Sequence, residues 1–79
     1  MDNKVWVCRN FEEGNVTLFD NPTKAYDFLV SYFTDLAYLK VISESQKDEI
    51  VTQLNSSFLK NQSSFGVAWE CQVDEQEVR

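Results

Sequence analysis

The chain has 79 residues, 43% of them hydrophobic and 14% aromatic, with thirteen acidic against seven basic residues and a net charge of −6. That composition excludes global disorder and fits one small globular domain over residues 1–79, although a chain of this size buries only about 60–65% of its unfolded surface. The charge argues against direct binding to nucleic acid or an anionic membrane, and it is compatible with a protein partner that has a basic surface.

No stretch approaches the ~20 apolar residues of a membrane span. The start, Met1 to Cys8, lacks the apolar run of a secretory signal. A cytoplasmic location is therefore expected. There Cys8 and Cys71 read as buried free thiols rather than a disulfide, and no Cys-x-x-Cys pattern suggests a redox pair.

Lys4 to Arg9 is the first strand. Its middle, Val5-Trp6-Val7-Cys8, is apolar on both faces, which favours a central place in a sheet. Asn10 to Asn15 forms a turn, with Gly14 suited to a positive φ. Val16 to Phe19 follows as a second strand and completes a hairpin. Val16 and Leu18 share one face, and Thr17 and Phe19 the other.

Asp20-Asn21-Pro22 starts a helix. Asp20 or Asn21 caps it and Pro22 takes the first helical position. The helix is predicted to run to Leu36–Leu39, with Ala25, Phe28, Leu29, Tyr32, Phe33 and Leu36 on one apolar stripe. After a short connection, Ser43 with Gln46 fits a capping box, and Ser45 with Asp48 offers a second register. The second helix extends to Lys60 on a narrower stripe of Ile50, Val51, Leu54 and Phe58.

From Ser64 to Asp74 the residues alternate strictly. Phe65, Val67, Trp69, Cys71 and Val73 are odd-numbered, and small or polar residues lie between them. The pattern predicts one continuous half-buried strand. Residues 74–79 then read as a flexible tail. The fold expected is α+β, a two-layer ββααβ domain. Its three-stranded sheet carries two antiparallel helices on one face, and the last strand runs parallel to the first.

The sequence carries no recognisable catalytic or metal-binding pattern. There is no histidine, so the usual general base and the commonest metal ligand are missing. Two distant cysteines form no zinc site, and the isolated Gly14 and Gly66 form no phosphate loop. Asp48 and Glu49 complement a helix dipole. Cys8 as a nucleophile needs an activating group, and Arg9 points to the other face of its strand. No catalytic residue, metal or cofactor is expected, and the chain reads as a non-enzyme.

The surplus lies in aromatic and acidic residues. Trp6 and Phe19 sit opposite Val5, Val7, Val16 and Leu18, so they are expected together on the sheet face the helices leave open. Glu12, Glu13, Asp74, Glu75 and Glu77 are the acidic candidates for partner contact. In kind, the chain resembles the short, acidic, stand-alone proteins with which bacteriophages and mobile elements inhibit host enzymes. That resemblance implies a binding module that occupies a surface of a host protein, with a nucleic-acid-binding protein as one candidate. The alternative is a structural homodimer built through a sheet edge or the open face.

Overall fold

The computed structural model describes residues 4–11, 13–67 and 70–77. It is an α+β domain with strands β1 (Lys4–Asn10) and β2 (Asn15–Phe19), helices α1 (Pro22–Tyr38) and α2 (Glu44–Lys60), and strands β3 (Ser64–Val67) and β4 (Cys71–Glu77). The described strands form one sheet in the order β2-β1-β4-β3, with every neighbouring pair antiparallel. Among the described residues, no helix is long and apolar enough to cross a membrane.

The helices begin where the sequence says they should. Asn21 caps α1 by accepting the Lys24 amide at 2.8 Å, with Pro22 next. At α2, Ser43 Oγ accepts the Gln46 amide at 3.1 Å and Gln46 Oε1 accepts the Ser43 amide at 2.9 Å, a complete capping box. The Ser45–Asp48 register is not used. The end of α1 departs from convention. Lys40 takes a left-handed φ of 62°, donating to Ala37 O while Val41 donates to Leu36 O. Those bonds define a Schellman cap with lysine where glycine is usual.

Tyr26, early in α1, stacks on Phe58, late in α2, at 4.7 Å and donates to Asn55 Oδ1 at 3.2 Å. The helices are therefore antiparallel. Leu29 and Phe33 of α1 and Leu54 of α2 bury against Cys8, Phe65 and Val73 of the sheet.

The sheet corrects the expected ββααβ order in one respect. Ser64 to Asp74 is not one strand but two, β3 and β4, and the sheet has four strands rather than three. Phe65 pairs with Val73 and Val67 with Cys71. Because odd residues pair with odd ones, and paired residues share a face, the hairpin keeps the alternation of a single strand intact. Trp69 lies outside the described residues.

The strand leaving α2 does run parallel to β1, since both are antiparallel to β4. The extra strand β4 reverses and inserts between them. β1 is interior, as its doubly apolar run suggests. β4 continues through Glu77, so Asp74 to Glu77 belong to the sheet and not to a tail. The β1–β2 turn is fixed by buried Asn10: its carbonyl accepts the Gly14 amide at 2.7 Å, its side chain the Glu13 amide at 3.1 Å. Gly14 adopts φ 72°.

Candidate interaction surface

Register decides which face each residue meets. Trp6 pairs with Phe19 and Cys8 with Thr17. Cys8 is fully buried under the helices, so Trp6 and Phe19 share the covered face. They are neighbours, as expected, but not on the open face. Trp6 Nε1 donates to Gln62 O at 2.9 Å, and the Phe19 ring lies 5.3 Å from Phe28 of α1. The physical reason is area: Trp and Phe bury far more surface than the valines opposite, so the sheet turns its aromatics inward.

The open face carries Val5, Val7 and Arg9 of β1, Val16 and Leu18 of β2, and Gln72 and Asp74 of β4. Its two halves differ. Asp74 accepts from Arg9 at 3.2 Å, from Ser64 Oγ at 2.9 Å and from Gln72 Nε2 at 3.1 Å, which makes a closed polar network over β3 and β4. Toward β2 the face is apolar, and Val16 and Leu18 are 60% and 61% exposed.

The backbone reinforces that asymmetry. The Phe11 amide donates to Glu70 O, opposite it across β1 and β4. Antiparallel ladders alternate between bonded and non-bonded pairs. The odd residues of β1 therefore bond to β4 and its even residues to β2. On β2 this turns Thr17 inward and points the N–H and C=O of Val16 and Leu18 off the sheet. The same alternation aims Gly66 of β3 outward, and there Ser57 of α2 covers the edge by accepting the Gly66 amide at 3.1 Å. β2 has no such cover among the described residues. It also lacks the charge or proline that usually guards an edge.

The acidic candidates do not converge. Glu13 accepts from Asn15 at 2.9 Å and from the Tyr32 hydroxyl at 3.2 Å, tying the first turn to α1. Glu75 pairs with Lys4 at 2.9 Å on the covered side, and hydrogen bonding to Ser63, then Lys4, lowers its pKa. Glu77 is exposed opposite Lys4. The seven-residue β1, at about 3.3 Å per residue, separates Glu13 from Glu77 by about 20 Å. Asp74 lies on the other face, and Glu12 lies outside the described residues.

Cys8 and Cys71 are free and buried on adjacent strands. Burial raises each thiol to about 11, and at Cys8 the nearby Cys71 adds to it. At neutral pH a thiol with that pKa is ionised only about once in ten thousand, which is the opposite of an activated nucleophile. Among the described residues no cluster of Cys, Asp or Glu forms a metal-binding group.

Sequence reasoning missed Val16 and Leu18 as surface residues. Their shared face was readable, but not which face the helices would take. A second exposed apolar group, Tyr38, Leu39 and Val41, marks the tip of the helical hairpin. No protein-family model matches the chain, and comparison with curated proteins and with solved structures finds no match.

Proposed function

We propose that the chain is a non-catalytic protein-binding module whose contact surface is the β2 edge and the apolar half of the open face. One observation carries this reading: Val16 and Leu18 expose their side chains and aim their backbone polar groups outward on the same unguarded strand. A strand so placed offers main-chain hydrogen bonds for affinity and alternate side chains for specificity. Recognition led by the acids is less well supported, because they are dispersed and several are engaged within the fold. Inhibition of the kind seen in short phage proteins would follow if the bound partner surface were a working one.

The test is capture of partner proteins on immobilised chain. Leu18→Pro is compared with the triple variant Glu13→Gln, Glu75→Gln, Glu77→Gln. Proline at position 18 deletes an amide that points off the sheet, so the β1 ladder stays intact. The expected result is loss of the bound partner with Leu18→Pro and retention with the triple variant. The reverse pattern would overturn the reading in favour of charge-led binding.

A further inference from the structure

The strand β2 has a geometry that suits a second copy of itself. We infer that the chain forms a two-fold dimer by antiparallel pairing of β2 with β2 of another copy, centred on Thr17. This rests on the reading of β2 as an interaction edge and names its occupant.

The register follows from the ladder. Only residues whose N–H and C=O point outward pair across such an edge, and in β2 these are Val16 and Leu18. With Thr17 on the axis, Val16 of one copy faces Leu18 of the other, and both outward residues of each copy exchange hydrogen bonds within the strand limits Asn15–Phe19. Moving the axis to Val16 or Leu18 pairs one of them with Gly14 or Asp20, beyond the strand. The interface is isologous, as closed dimers require.

Charge permits it. The sequence Asn15-Val16-Thr17-Leu18-Phe19 has no ionisable residue. Within the paired span no like charges therefore stand opposite one another. Directly opposed residues share a face, so the apolar row Val7–Leu18 continues into Val16 of the second copy. The helices of both copies then lie on the other side of one continuous sheet. The edge at β3 is not available for the same use, because Ser57 already satisfies the Gly66 amide.

The experiment is sedimentation equilibrium of the purified chain from micromolar to about 0.5 mM, since mass action controls the dimer fraction. It uses wild type, Leu18→Pro and Val16→Lys, each checked for cooperative unfolding. The inference predicts that wild type rises to twice the chain mass while both variants stay monomeric and folded. If Leu18→Pro fails to fold, the exposed Val16→Lys decides alone. A wild type that remains monomeric throughout, or folded variants that dimerise as it does, overturns the inference. A monomeric wild type that still loses a captured partner on Leu18→Pro leaves the proposed function standing and removes only the self-pairing.

Discussion

Gly66→Ala distinguishes a hairpin from a single strand by the sign of its effect. An alanine Cβ at Gly66 meets Cys71 O closely, and it comes within 2.9 Å of both Gln72 Cα and Gln72 Oε1. The first two are backbone atoms of β4 and cannot swing away. The Gln72 amide can move only by giving up its bonds to Ser64 and Asp74. Relief therefore means parting β3 from β4, and forced overpacking of this kind costs about 1–3 kcal/mol. In a lone strand the same change would stabilise, by about 0.5–1 kcal/mol, because glycine is the poorer strand residue. For a domain this small the urea slope is near 1 kcal/mol per molar, so the midpoint should fall by about 1–3 M. Urea unfolding followed by far-ultraviolet circular dichroism reads it directly. A midpoint that is unchanged or raised would refute the close approach of β3 and β4.

Lys40→Gly should stabilise the chain by about 0.5–1 kcal/mol, since glycine holds the left-handed Schellman position without strain. A thermal midpoint raised by about 3–6 °C checks it. The thiols give a pH prediction. Both Cys8 and Cys71 rise from 9.0 to about 11 in the folded chain. The folded state then holds protons that the unfolded chain releases. Their contribution is complete below pH 9 and is lost as pH climbs toward 11. Urea midpoints measured across that window should decline, and native protein should react with a thiol reagent at pH 8 far more slowly than unfolded protein.

Helix boundaries were legible because their signals are local: Pro22 after Asn21, and Ser43 three residues before Gln46. The extra strand was not. A hairpin turn that pairs odd with odd residues leaves the same alternation as a straight strand, and the residues between Val67 and Cys71 include neither Gly nor Pro to announce the reversal. The surface was half legible. Trp6 and Phe19 were rightly placed together and wrongly placed outside, because periodicity assigns residues to faces without saying which face is covered. The larger area of the aromatics was the available clue. The turn residue Asn10, buried yet satisfied, gave no sign in one dimension.

The net charge of −6 acts differently on the two kinds of binding. Two copies of an acidic chain repel at distances comparable with the Debye length, about 8–10 Å at ordinary ionic strength. The β2 strand has no charge to offset that repulsion, and the main-chain and apolar contacts it offers are little affected by salt. Added salt should therefore strengthen pairing through β2. Attraction of the same acids to a basic partner should weaken under the same change, because there the charges supply the affinity. Dimer dissociation measured at low and moderate salt tests the sign. A dimer that loosens as salt rises would place oppositely charged groups across its interface, which the Thr17-centred register does not do.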